Sequence, residues 1–168
     1  MLPARMKKSR RSILEDIIVL PYNNLDVASE HLEREKDKIA CVIVEPIIHG
    51  HGILPTVGFL QGLSELCRSC GIPLVLDEII TGFRHGLGGL QQKWNIDADL
   101  AVYGKAMANG YVISAITGKQ EFMSLLTPGP AFLSGTYNGN PVSAAASLKT
   151  IEILARPFVL KSNAPRLR

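Results

Sequence analysis

Three apolar runs constrain the fold of this chain more than any other feature. IACVIVEP (39–46), IPLVLD (72–77) and DADLAVYG (97–104) are near-continuous apolar segments, the first of them rich in β-branched residues. A strand wet on one face alternates apolar with polar residues. An unbroken apolar run belongs to a strand covered on both faces. Between the first two runs, after a Gly/Pro loop (HGHGILPTVG), lies FLQGLSELCRSCG. Phe59, Leu60, Leu63, Leu66, Cys67 and Cys70 share one face of a helix there, and Gly71 stands where a helix ends. The order β–loop–α–β–loop–β predicts an α/β fold, with a mostly parallel sheet, flanking helices and right-handed crossovers.

The flanking segments fit the same scheme. PYNN (21–24) is turn chemistry, and Asn24 is placed to cap a helix through LDVASEHLEREKDK. Beyond Gly104 the segment KAMANG is small and flexible. YVISAITG then predicts a further strand and KQEFMSLL a short helix. SGTYNGNP (134–141) is a polar, Gly-rich loop, and Asn140 with Pro141 starts an Ala-rich helix, VSAAASLKTIEILA.

Charge and cysteine usage narrow the function classes. The net charge of +3 on 168 residues is too small to argue for nucleic acid. Much of the basic excess lies in RMKKSRR and KSNAPRLR near the two ends, which read as solvated termini. No apolar stretch approaches the roughly 20 residues of a membrane span. Three cysteines, Cys41, Cys67 and Cys70, give no disulfide framework. CRSC has metal-ligand spacing, but no second Cys/His pair follows at zinc spacing, so it reads as two thiols on one helix. The cytoplasm is the expected compartment.

The chemistry is expected where the strands end, because open α/β sheets bind ligands beyond the carboxyl ends of their strands. There the chain offers Glu45, the adjacent pair Asp77 and Glu78, and Lys105. LVLDE resembles the metal-binding strand of a phosphate-loop ATPase, but neither YGKA nor TGKQ completes the phosphate loop. The other reading uses the lysine covalently. A lysine that gives up its proton forms Schiff bases with aldehydes, pyridoxal phosphate among them. Such a cofactor needs a carboxylate at its ring nitrogen, for which Asp77 is suited. It also needs donors for its phosphate, and SGTYNGNP ahead of a helix can supply them.

VIVEP, LVLDEIITGFR, DADLAVYGKAMANGYVISAITG and SGTYNGNPVSAAA, in that order, resemble the class III aminotransferases. The likeness is strongest to the branch of the glutamate-1-semialdehyde aminomutases. It implies the central part of the large domain of a fold-type I pyridoxal-phosphate enzyme, spanning 21–155. Residues 1–20 and 156–168 match the pattern poorly. By this resemblance Lys105 is the Schiff-base lysine and Asp77 the partner of the ring nitrogen. Ile79 packs on a face of the ring. Thr136, with Gly135 beside it, binds the cofactor phosphate, across a homodimer interface. Glu45 is a supporting residue and Glu78 a structural one. Val112 stands where relatives carry proline. The implied substrates are small amino donors and acceptors, whether the reaction is aminotransfer or 1,2-amino migration. The chain is under half of a family subunit. An inactive remnant that binds or dimerises is the alternative expectation, and this truncated chain alone is expected to be inactive.

Overall fold

The computed structural model describes residues 16–126, 130–131, 133–157 and 159–160. Most of the stretches 1–20 and 156–168, set apart in the sequence reading, lies outside the described residues.

Helix α1 (Leu25–Glu35) begins at the anticipated cap. Asn24 is extended, and its side-chain oxygen accepts the Val27 N–H at 3.0 Å. The helix buries Ala28 and Leu32. A single 3₁₀ turn, Lys36–Lys38, leads into β1 (Val42–Val44). Helix α2 (Phe59–Cys70) buries Phe59, Leu60, Leu63 and Cys67 on the face foreseen from their spacing. Each fully buried large apolar side chain of this kind contributes on the order of 1.5–3 kcal/mol. Gly71 closes α2 in the left-handed region at φ 70°, where a side chain would be strained.

The remaining elements are β2 (Leu74–Asp77), α3 (Gly89–Trp94), β3 (Leu100–Tyr103), a 3₁₀ turn at Lys105–Ala108, and β4 (Ala115–Gly118). Helices α4 (Gln120–Met123) and α5 (Pro141–Leu154) follow. The sheet order is β1-β2-β3-β4. β1, β2 and β3 run parallel, with Val44 beside Leu76, Leu76 beside Ala101, and Asp77 beside Val102. β4 runs antiparallel to β3, Tyr103 facing Ala115.

One face of the sheet carries the core. Leu74, Leu76, Ala101 and Tyr103 pack there against α1, α2 and Met107. The thiol of Cys67 is wholly buried in this cluster, and burial, with lesser effects from Cys70 and Asp99, pushes it up to about 12. It is an inert core thiol. The opposite face departs from the expectation of strands covered on both sides. Ile43 is 67% exposed and Ile116 48%. The apolar runs are written for two covering layers, and among the described residues only one layer is built.

At the end of the sheet away from Asp77, Asp99 fastens three strands. Its carboxylate accepts the Leu74 N–H at 2.7 Å and the Lys119 ammonium at 2.8 Å. Its backbone N–H donates to the Leu74 carbonyl and its carbonyl accepts the Lys119 N–H, both at 2.9 Å.

Candidate active site

The parallel register places the sequence-derived candidates along one edge. Val44 pairs with Leu76, so Glu45 leaves β1 beside the end of β2. Asp77 pairs with Val102, and Lys105 follows three residues further along the same strand exit. Neighbouring strands lie about 4.8 Å apart, so a carboxylate and an amine are delivered to one small region.

Asp77 is half-buried on the uncovered face. Its Oδ1 accepts the Ile79 N–H at 3.0 Å, which turns the chain as β2 ends. No described residue bonds its second carboxylate oxygen. Ile79 lies between the two strand exits, its Cγ2 methyl 3.6 Å from where a Cβ on Gly104 would stand. Lys105 opens the 3₁₀ turn at φ 42°, in the left-handed region. That conformation costs a non-glycine residue about 1–3 kcal/mol and persists only where the surroundings enforce it. Its side chain is exposed, with no bond to another described residue.

Glu45 serves the β1 exit. Its carboxylate accepts the His49 N–H at 3.3 Å. Tyr22 donates its hydroxyl to the Pro46 carbonyl at 2.8 Å, and burial, then the Glu45 charge, pushes that hydroxyl up to about 12. Glu45 therefore helps shape the loop after β1.

Thr136 and Gly135 make no described hydrogen bond to this edge. Both are exposed in the turn ahead of α5, and no described hydrogen bond joins Thr136 to Asp77 or Lys105. The turn is tied to the lysine indirectly. Asn140 caps α5 by accepting the Val142 and Ser143 N–H groups at 3.0 and 3.1 Å. α5 then packs on the 105–108 turn, where Ser147 donates its hydroxyl to the Met107 carbonyl at 3.3 Å.

Glu78 holds a more specific place than the sequence reading assigned to it. It is wholly buried, and its carboxylate accepts the Gln91 N–H at 2.7 Å and the Thr81 hydroxyl. Gly89, at φ 69°, makes room, since a Cβ there would stand 2.5 Å from a Glu78 oxygen. The Gln91 side-chain amide donates to the Tyr103 hydroxyl, which itself donates to the Gly88 carbonyl at 3.5 Å. Neither Gln91 nor Tyr103 stood out in the linear sequence. The GG pair at 88–89 was the one local hint of a close approach.

The residues present fit a pyridoxal-type group by their chemistry. Asp77 offers an oxygen with no described partner, Lys105 a free primary amine, and Ile79 an apolar surface between them. The loop before α5 offers a hydroxyl and backbone N–H groups beside a helix N-terminus. No described group of three or more His, Cys, Asp or Glu residues could hold a metal ion.

Comparison with known proteins points the same way. The family profile "Aminotransferase class-III" matches residues 4–167. Glutamate-1-semialdehyde 2,1-aminomutase of Sulfurisphaera tokodaii is 48% identical over 145 residues, 85% of this chain and 34% of that protein. The enzyme of the same name from Methanopyrus kandleri is 44% identical over 161 residues, 93% of this chain and 37% of that protein. The chain thus spans about a third of the length of these curated relatives. Among solved structures, an omega-transaminase from Sphaerobacter thermophilus superposes with a TM-score of 0.82 at 34% identity, covering 88% of this chain and 34% of that one. A structure described as a transaminase with PLP bound gives 0.81 at 32% identity, covering 88% and 36%. A profile match across nearly the whole chain, with the same fold at this identity, leaves one assignment: the chain belongs to the class III aminotransferase family.

Proposed function

We propose that this chain carries the central part of a pyridoxal-phosphate-dependent aminotransferase or aminomutase site, acting on an amino acid or amino-aldehyde. The observation that supports it best is the register. Asp77 and Lys105 leave adjacent parallel strands three residues out of step, with Ile79 between them. When bound, the cofactor supplies an aldehyde and an electron-withdrawing pyridine ring. Lys105 supplies the amine that holds that aldehyde. Once released, the same amine moves a proton to or from the substrate α-carbon. Asp77 holds a proton on the ring nitrogen through its unbonded oxygen. Ile79 keeps water off one ring face. Thr136 and Gly135 offer donors to the phosphate, in a homodimer from the neighbouring subunit. The same lysine and carboxylate serve both aminotransfer and 1,2-amino migration.

A second reading, a non-catalytic remnant that binds or dimerises, draws support from the exposed Ile43 and Ile116 face and the exposed Lys105.

The test is an absorbance spectrum of the chain with pyridoxal phosphate, then borohydride reduction and mass mapping. Reduction fixed on Lys105 is expected under the first reading, and label scattered over surface lysines under the second. In a full-length family subunit carrying these residues, Asp77→Asn is expected to keep labelling at Lys105 while lowering turnover by orders of magnitude, since the ring nitrogen loses its proton. Full turnover in that variant would remove Asp77 from this role.

A further inference from the structure

Glu78 is a carboxylate with no cation beside it. It is 0% exposed and forms no ion pair among the described residues. Burying such a group is costly, and a packed apolar side chain of similar volume is often no less stable. Stability alone is a poor reason for it to be there. What it does hold is a chain of contacts between the two strand exits. Its oxygens take the Thr81 hydroxyl and the Gln91 N–H, the latter at 2.7 Å. Gln91 in turn holds the Tyr103 hydroxyl. Tyr103 is two residues before Lys105, and Glu78 is the residue after Asp77. The Tyr103 ring is also fixed edge-on by Phe83 at 5.5 Å, which itself stands at φ 61°.

We propose that Glu78 is a positioning residue, acting through Gln91 and Tyr103 to hold the strained Lys105 turn in register with Asp77. The proposal rests on the cofactor reading above and extends it to residues that would not touch the cofactor. β2 and β3 pair only as far as Asp77 and Val102, so beyond them the ladder no longer fixes the spacing. Past that point, Glu78 donates its N–H to the Val102 carbonyl at 2.9 Å, and its carboxylate continues the connection through the Gln91 backbone N–H and then the Gln91 side-chain amide to the Tyr103 hydroxyl. Networks of this kind rigidify what they join when every member is satisfied.

Site-resolved amide hydrogen exchange on the cofactor-free chain tests it. The probes are the Met107 N–H, which closes the lysine turn on Gly104 at 3.0 Å, and the Ile79 N–H on Asp77. Gln91→Met and Glu78→Ala are expected to speed exchange at both probes at least tenfold, while Leu76 and Ala101 change less than twofold. Glu78→Gln, which can accept from Gln91 and donate to Thr81, is expected to restore slow exchange. If Glu78→Ala does not fold, Tyr103→Phe breaks the same chain of contacts and keeps the aromatic packing. Exchange that rises evenly over the sheet, or not at all, overturns the proposal. Borohydride labelling of the same proteins keeps the two readings separate. Local loosening without label on wild-type Lys105 sinks the cofactor reading and leaves the positioning role intact. Label on wild-type Lys105 with unchanged exchange in the variants does the reverse.

Discussion

Lys105 stands at φ 42° while its side chain is exposed and has no partner among the described residues. Nothing it contacts repays the strain, so the conformation works against stability. Glycine takes the left-handed region without penalty. Lys105→Gly is therefore expected to raise stability by about 0.5–1 kcal/mol, read as a higher urea midpoint, while removing borohydride labelling at this position. A lower midpoint would mean that the lysine stem packs more tightly than its exposure suggests. Lys105 could be singled out as a candidate in the sequence, because GKAMANG after an apolar run resembles the family pattern. Its backbone strain was not legible there, since φ depends on how Gly104 leaves β3 and how α5 presses on the turn. Glu78 shows the same division. Its neighbour Asp77 was read from strand-end chemistry, but the partners of Glu78 lie 3 and 13 residues away along the chain. No linear spacing rule joins them.

Among the elements, the three parallel strands were all foreseen, and each proved shorter than its apolar run. Runs 39–46, 72–77 and 97–104 became strands 42–44, 74–77 and 100–103. Hydropathy marks where a chain is buried, whereas a strand extends only where a neighbour offers paired backbone groups. Pro73 is one such limit, for it has no N–H and contributes only its carbonyl to Val42. The short α3 was not foreseen, because six residues give too little periodicity to read. The antiparallel direction of β4 also escaped the sequence, although its position was marked. Asp99 makes a prediction at this scale. Burial alone would raise its carboxyl, but the Lys119 hydrogen bond and the Leu74 N–H prevail and hold it below its ordinary value of 3.8. A carboxyl lowered on folding adds stability that is complete above the unfolded value and fades as pH falls through the folded one. The wild type is thus expected to lose stability below about pH 4, and Asp99→Asn to lose less over that window. Melting temperatures between pH 6 and pH 2.5 check this. Parallel curves for the two proteins would remove Asp99 from the acid response.

For the molecule as a whole, the unmatched feature is the second face of the sheet. Ile43, at 67% exposure on β1, and Ile116, at 48% on β4, present apolar side chains on the two strands that are edges among the described residues. Such a surface promotes association. Ile43→Thr keeps the β-branched shape and replaces a methyl-bearing arm with a hydroxyl. It is expected to lower light scattering during concentration several-fold, with the melting temperature changed by no more than a few degrees. Unchanged scattering would place the sticky surface elsewhere.

Local sequence was enough for the α/β class, the order of the strands and longer helices, the caps at Asn24, Gly71 and Asn140, and the family. Each of these is written in local patterns: apolar runs, helical spacing, capping residues and contiguous motifs. The tertiary structure alone decided that Asp77 and Lys105 share one edge with Ile79 between them, and that Lys105 is strained. It alone buried Glu78 in a network with Gln91 and Tyr103, and left one sheet face open. Those properties come from strand register and from contacts between distant residues, and side-chain chemistry read one residue at a time does not contain them.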